Sequence, residues 1–239
     1  MRTVLVAGLW LDARAWAEVV PALAELAVDG VPVSLPGQGA PAPEGRATTL
    51  DDQLAAVVAE VDATPEGEQV VVVGHSAAST LAWAAADARL DRVAGVVLVG
   101  GVPTTDGTAY ADFFPPADDV VPFPGWEPFE GPGIADLDAE ARAALAALTL
   151  PVPHSVTTST VRYTDARRRD VPVVLVCCEF TPEQAREWIA GDVPELQQAT
   201  RLRLVDLDAG HWPMASAPVP FARCLAEAAA WCANPDATA

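Results

Sequence analysis

The chain has 239 residues, 51% of them hydrophobic, and a formal net charge of −19 at pH 7. This length supplies one sizeable hydrophobic core but is too short for two ordinary domains, so we expect a single domain over residues 1–239. The acidic balance argues against nucleic acid or an anionic membrane surface as a partner and favours a neutral or cationic small molecule.

Short apolar strands alternate with amphipathic helices along the first hundred residues. A strand at 3–7 ends in a turn at Gly8, and apolar residues at helical spacing predict a helix within 12–28. A second strand is predicted at 31–35, and Thr48 or Thr49 is expected to cap a helix that runs to about residue 61. Further strands at 70–73 and 93–99 flank an Ala-rich helix that ends near residue 86.

The regular alternation is lost between residues 101 and 170. Prolines cluster over 115–132, and an Ala-rich stretch at 138–148 predicts a helix. A loop-rich insertion of this length is uncommon in a compact domain unless it has a role such as a lid, so we interpret 101–170 as a lid or cap insertion. Its aromatic residues either line a pocket for an apolar substrate or anchor the insertion on the core; they are Tyr110, Phe113, Phe114, Phe123, Trp126 and Phe129.

Alternation resumes after the insertion, which completes about six strands. Strands are predicted at 171–178 and 201–207, and helices at 182–190 and 219–232. Almost continuous apolar strands are typical of a parallel sheet that helices cover on both faces, so the fold class is α/β. The polar tail after Asn234 is expected to be frayed.

The segment Gly74-His75-Ser76-Ala77-Ala78 follows the four valines of the central strand directly. A serine in a tight strand-to-helix turn is exposed at the sheet edge, above a helix N-terminus that favours an oxyanion. Ser76 is therefore the candidate nucleophile. The nucleophile elbow is usually G-x-S-x-G, and Ala78 replaces its second glycine with another small residue. The structural alternative for Ser76 is an ordinary helix N-cap.

Of the three histidines, His211 has the position that acyl-transfer chemistry requires. It follows the last predicted strand, and loops at the carboxyl ends of parallel strands meet at one edge of the sheet. A serine hydroxyl needs a neighbouring imidazole to remove its proton, so His211 is the candidate general base. His75 adjoins Ser76 and should point elsewhere, because neighbouring side chains on a sharp turn diverge, and His154 belongs to the insertion.

A tetrahedral intermediate also needs two backbone donors for its oxyanion. We expect one from the N–H of Ala77, at the start of the helix. The second should come from Leu9 or Trp10 in the loop after the first strand, which Gly8 allows to approach closely.

Four segments together resemble the α/β-hydrolase family. VLVAGLW with Trp16 is similar to the oxyanion-loop segment, LPGQG to the loop usually written LPGHG, GHSAAS to the nucleophile elbow, and DAGHWPMAS to the histidine segment. The resemblance implies a three-layer α/β-hydrolase sandwich with a mostly parallel sheet. It points to the compact esterase, lactonase and hydroxynitrile-lyase-like branch, and it implies no cofactor and no metal.

The chain departs from that family mainly at the position of the acid in the expected catalytic triad. Family members usually carry Asp or Glu after the penultimate strand, and the matching residue here is Thr181, which forms a capping box with Gln184. Glu179, at the end of the same strand, is the preferred substitute because a carboxylate there would be costly to bury without a partner. Asp106, after the preceding strand, is the alternative acid, and a site without any acid is the third possibility.

Three functions follow from these residues. The first is a serine hydrolase that cleaves a carboxylic ester, thioester or lactone through an acyl-enzyme. The second is a non-hydrolytic lyase or cyclase on the same fold, of the kind used in secondary metabolism, in which Ser76 and His211 transfer protons. The weakened acid site favours this alternative. The third is a binding or scaffold protein without activity, against which the presence of both Ser76 and His211 counts.

The cysteines and the N-terminus suggest a cytoplasmic protein. Cys177 and Cys178 are adjacent in a predicted buried strand, and Cys224 and Cys232 lie two helical turns apart, so neither pair has metal-ligand spacing. We expect reduced thiols. The N-terminal apolar run is too short for a signal peptide, and no stretch approaches the roughly 18 to 20 apolar residues that cross a bilayer.

Overall fold

The computed structural model describes residues 1–40 and 47–234. The strands are β1 (Arg2–Val6), β2 (Asp29–Val33), β3 (Val70–His75), β4 (Val93–Val99), β5 (Val120–Val121), β6 (Val152–Pro153), β7 (Val173–Cys177) and β8 (Leu202–Asp206). The α-helices are α1 (Val19–Glu25), α2 (Leu50–Asp62), α3 (Ser79–Ala88), α4 (Ala139–Leu148), α5 (His154–Thr157), α6 (Pro182–Asp192), α7 (Pro194–Gln197), α8 (Pro213–Ser216) and α9 (Pro218–Ala233). The tail after Asn234, predicted to be frayed, lies outside the described residues.

Six strands form one parallel sheet in the order β2-β1-β3-β4-β7-β8. This is the number of strands predicted, and each lies within about two residues of its predicted position. Pro32 is tolerated in β2 because that strand lies at the edge of the sheet, where a missing N–H costs least.

Helices cover both faces of the sheet, as the apolar strands predicted. Successive strand residues point to opposite faces, so Val70 and Val72 join one core cluster while Val71 and Val73 join the other. The first cluster packs the sheet against α2, α3 and α6, and the second packs it against α1 and α9. The result is the expected three-layer α/β sandwich.

The helix predicted within 12–28 is instead two shorter pieces. Ala13–Trp16 is a 3-10 turn capped by the Asp12 side chain, and α1 begins only at Val19. Pro21 explains the break, because a continuous helix would require it to donate a hydrogen bond to the carbonyl of Ala17. In the first turn of α1 that missing donor has no cost.

Segment 101–170 packs over the carboxyl edge of the sheet and contains the antiparallel pair β5–β6 and helix α4. Asp138 caps α4, within the helix predicted at 138–148. At the end of the segment, the buried Arg168 pairs with Glu195 at 2.7 Å and with Asp87 at 3.5 Å. These contacts tie the segment to α3 and α7. Within 1–40 and 47–234, no helix has both the length and the hydropathy needed to cross a membrane.

Candidate active site

Ser76 lies in a sharp turn between β3 and α3, as predicted. Its φ of +54° is a left-handed conformation that a non-glycine residue adopts only under strain. Two glycines make the turn possible. A Cβ at Gly74 would overlap the carbonyl of Ala78, and one at Gly101 would overlap the backbone of Ser76. Ala78, which replaces the usual second glycine, is buried.

Ser76, His211 and Glu179 are hydrogen-bonded in series. Oγ of Ser76 lies 2.9 Å from Nε2 of His211. Nδ1 of the same ring is hydrogen-bonded to Oε1 of Glu179. The three residues follow β3, β8 and β7 respectively, so parallel strands deliver them to one edge of the sheet. Such a series can move a proton from the hydroxyl to the imidazole and stabilise the imidazolium that results.

The other acid candidates are engaged elsewhere. Thr181 caps α6: its hydroxyl accepts from the N–H of Gln184 at 3.2 Å, and its own N–H donates to the Gln184 side chain at 2.8 Å. The capping box is therefore confirmed. Asp106 is exposed and accepts a hydrogen bond from the N–H of Tyr163 at 2.9 Å. Of the carboxylates considered from the sequence, Glu179 is the one in contact with His211; its role remains a prediction.

His75 has contacts that the sequence analysis did not anticipate. The residue is 1% exposed. Nδ1 accepts a hydrogen bond from the N–H of Gly8 at 3.3 Å, and Nε2 lies 2.7 Å from the carbonyl oxygen of His211. Burial, and secondly the neighbouring His211, lower the pKa of His75 to about 3. The available signal was its position at the end of a buried strand, where a polar side chain needs hydrogen-bond partners.

The loop after β1 forms a turn beside Ser76. The turn is closed by the N–H of Leu11, which donates to the carbonyl of Gly8 at 3.2 Å and leaves the N–H groups of Leu9 and Trp10 outside that bond. Gly8 permits the close approach: an added Cβ would lie 2.9 Å from Cβ of Ser76. Leu9, Trp10 and Ala77 all line the cavity in front of Ser76. Their role as oxyanion donors stays a prediction.

Trp10 connects this loop to segment 101–170. It has a φ of +67°, and its indole N–H donates to the carbonyl of Val121 at 3.1 Å. Its own carbonyl accepts from the N–H of Leu150 at 2.7 Å. The segment therefore holds both the ring and the backbone of Trp10.

The cavity in front of Ser76 has a volume of about 110 Å³ and mainly aromatic walls. Phe113, Phe114 and Phe129 come from segment 101–170, and Trp10 and Trp212 complete the lining. A second cavity, of about 280 Å³, lies beside Glu179 and shares Phe129 and His211 with the first. Phe129 thus forms part of the wall of both spaces.

The aromatic residues of the segment both line the cavity and pack on the rest of the domain. Phe123 and Trp126 line a much smaller space and pack edge to face, on Trp10 at 5.5 Å and on Trp212 at 5.2 Å between ring centroids. They anchor the segment. The three phenylalanines of the preceding paragraph line the cavity, and two of them, Phe114 and Phe129, also pack on Trp10 at 4.9 and 6.2 Å between ring centroids.

The cysteines lie apart from this chemistry. All four are buried and free. Burial raises the pKa of Cys177 to about 11 and that of Cys232 to about 12, so these groups are neutral thiols at neutral pH. In the part of the chain that the structure describes, no group of three or more His, Cys, Asp or Glu side chains could hold a metal ion.

Several solved structures share this fold. A methylesterase from Arabidopsis superposes with a TM-score of 0.75 at 16% identity, covering 97% of this chain and 99% of that one. A pyrethroid hydrolase from Sphingobium faniae gives 0.71 at 18% identity, covering 98% of both chains. A variant of tomato methylketone synthase I, complexed with β-ketoheptanoate, gives 0.71 at 15% identity, covering 97% of this chain and 98% of that one. At these identities the likeness shows the fold alone.

No curated protein was found to match the chain. The sequence model of the alpha/beta hydrolase family matches residues 3–224, from the first strand to the last helix. Because that match includes every strand of the sheet and all three hydrogen-bonded residues of the candidate site, the chain belongs to the alpha/beta hydrolase family and is an enzyme of that family.

Proposed function

We propose that the chain is a serine hydrolase that cleaves a carboxylic ester, thioester or lactone through an acyl-enzyme on Ser76. The observation that carries the proposal is the hydrogen-bonded series Ser76–His211–Glu179 beside a solvent-connected apolar cavity. A strained serine with an imidazole at hydrogen-bond distance is the arrangement that activates a hydroxyl for attack on a carbonyl.

In the first half-reaction, Oγ of Ser76 attacks the substrate carbonyl while Nε2 of His211 takes its proton. Glu179 accepts the hydrogen bond from Nδ1–H, which fixes the ring orientation and stabilises the imidazolium. The tetrahedral intermediate collapses as His211 returns the proton to the leaving alcohol or thiol. In the second half, His211 removes a proton from the water that attacks the acyl-enzyme, and it returns this proton to Oγ of Ser76 as the acid is released.

The oxyanion of each intermediate is bound by backbone N–H groups of Ala77 and of Leu9 or Trp10. Support comes from their position on the cavity wall and from the turn that leaves the last two N–H groups outside its own hydrogen bond. Such preorganised donors are worth roughly 10²- to 10³-fold in rate each.

The substrate is a small apolar molecule without negative charge. Five aromatic side chains leave room for a compact acyl or aryl group in about 110 Å³, and a net charge of −19 opposes an anionic substrate. Segment 101–170 acts as the lid, which its three cavity-lining phenylalanines support.

The non-hydrolytic alternative is the second candidate. Thr181 in the place of an acid favours it, whereas the hydrogen bond between Glu179 and His211 supports a triad whose carboxylate comes from a neighbouring position. We therefore prefer the hydrolase.

A fluorophosphonate probe and a p-nitrophenyl acetate assay test the proposal. Wild-type chain should be labelled stoichiometrically on Ser76, and Ser76→Ala and His211→Ala should abolish labelling. Glu179→Gln should lower ester turnover by about two to four orders of magnitude, because the imidazolium loses its carboxylate. Asp106→Asn, the matched control, should leave turnover unchanged. A folded wild-type chain that neither reacts with the probe nor hydrolyses any ester would refute the proposal.

A further inference from the structure

Two hydrogen bonds determine which ring nitrogen of His75 carries the proton. A backbone N–H only donates, so Nδ1, which faces Gly8 at 3.3 Å, carries no proton. A carbonyl oxygen only accepts, so Nε2, 2.7 Å from the oxygen of His211, carries the proton and donates it. The ring is therefore neutral and in a single tautomer. A proton added to Nδ1 would point at the N–H of Gly8, so that two buried donors would face each other without an acceptor.

The two backbone groups that His75 joins belong to separate parts of the site. Gly8 begins the turn that contains Leu9 and Trp10, whereas His211 carries the proposed base. The N–H of His211 donates to the carbonyl of Gly133 at 2.8 Å. Both backbone groups of His211 are thus held, one by segment 101–170 and the other by His75.

The short distances around Gly8 show that the loop, His75 and Ser76 are closely packed. An added Cβ at Gly8 would lie 3.0 Å from Nδ1 of His75 and 2.9 Å from Cβ of Ser76. The loop, the ring and the nucleophile are therefore in direct contact, and a displacement of the ring would move the loop relative to Ser76 and His211.

We propose that His75 is a positioning residue: a neutral imidazole that fixes the proposed oxyanion loop at Gly8 relative to the proposed base at His211. The inference rests on the proposed function. The two ring nitrogens of His75 bond the backbone of Gly8 and of His211, so His75 acts through the two elements that would bind the oxyanion and transfer the proton. Misplacement of reacting groups by about 1 Å can cost on the order of 100-fold in rate, so the contribution is kinetic as well as structural.

Two conservative variants separate the two hydrogen bonds. The amide of His75→Gln replaces the Nε2 donor to His211, and the carbonyl of His75→Asn replaces the Nδ1 acceptor for Gly8. His75→Leu keeps apolar volume but makes neither bond. At a temperature where all variants remain folded by circular dichroism, kcat/KM should fall by about 10- to 100-fold in His75→Leu, mainly through kcat. It should be partly restored in both amide variants. Arg186→Gln, at an exposed residue of α6 outside segment 101–170 and outside the cavity lining, is the control and should match wild type.

Equal activity of folded His75→Leu and wild type would overturn the proposal. So would amide variants that are no more active than His75→Leu, because the hydrogen bonds would then be irrelevant to the rate.

An NMR experiment keeps this inference separate from the proposed function. In chain labelled with ¹⁵N-histidine, the three rings can be assigned with His75→Gln and His154→Gln. The ring of His75 should give the shifts of a bare Nδ1 and a protonated Nε2 between pH 5 and pH 9. The opposite tautomer or a charged ring would refute the proposed positioning role. A wild-type chain without esterase activity would refute the proposed hydrolase only, since the tautomer is measured without substrate.

Discussion

Acid should destabilise the fold through His75. The pKa of this ring is lowered to about 3 in the folded chain, from an ordinary value of 6.5, because the ring is buried. Below pH 6.5 the unfolded chain binds a proton that the folded chain does not. Stability contributed by the neutral ring is therefore complete above about pH 6.5 and is lost as pH falls toward 3. At roughly 1.36 kcal/mol per unit of pKa, the loss is about 2 kcal/mol at pH 5 and about 3 kcal/mol at pH 4.

The variant His75→Gln isolates this contribution from the other titrating groups. At pH 8 it should be less stable than wild type by about 1–3 kcal/mol, because the buried N–H of Gly8 loses its acceptor. Only the wild-type chain contains His75 and loses stability when its unfolded form binds a proton there. The difference in unfolding free energy between the two chains should therefore shrink by about 2 kcal/mol between pH 8 and pH 5.

Urea titrations at pH 8, 6 and 5, followed by fluorescence of the seven tryptophans and by circular dichroism, measure the difference. Gly191→Ala adds no titratable group, so its difference from wild type should not change with pH. A wild-type minus His75→Gln difference that stays constant to within about 0.5 kcal/mol from pH 8 to pH 5 would refute the reasoning.

Three further predictions concern the loop, the pocket and the core. Gly8→Ala should lower kcat/KM by about 100-fold in an ester assay, because its Cβ has no space, whereas Gly191→Ala on helix α6 has open space and should retain full activity. Phe129→Ala should join the two cavities and raise the ratio of kcat/KM for p-nitrophenyl octanoate over acetate by roughly tenfold or more; an unchanged ratio would contradict that reading of the pocket. Arg168→Leu should cost about 3–5 kcal/mol in urea unfolding because it leaves buried carboxylates without a counter-charge. The exposed Arg186→Leu should change stability by less than about 0.5 kcal/mol, and equal effects would contradict the assignment of a buried network.

The preference for Glu179 shows what the chemistry of single residues can predict about the acid of the site. A carboxylate at the end of a buried strand needs a partner, and that argument favours Glu179 without coordinates but leaves Asp106 open. This argument does not decide which loop brings its carboxylate to His211, because the positions of the loops above the sheet are unknown from sequence. Asp106 was a reasonable alternative from its position in sequence, and only the fold shows that it turns outward to the backbone of Tyr163.

The contacts of His75 could not be predicted from the residues around it. The local geometry of a sharp turn predicts that its side chain diverges from that of Ser76, and no local rule says where the ring goes. Its partners, Gly8 and His211, are 67 and 136 residues away in the chain. Contacts at such separations depend on how strands are ordered in the sheet, which the alternation of apolar segments leaves open.

The sequence by itself determined the six strands of the sheet, most of the long helices and the chemistry of their ends. The alternation of β3 side chains between the two faces of the sheet, the small residues around Ser76 and the capping residues of the helices are local properties, because they depend on backbone sterics and on neighbours a few residues away. Tertiary structure alone decided which carboxylate meets His211, which aromatic rings face the cavity, and that a buried imidazole joins two loops. Those outcomes depend on strand order and on the path of segment 101–170 over the sheet, and they are set by packing between residues that are distant along the chain.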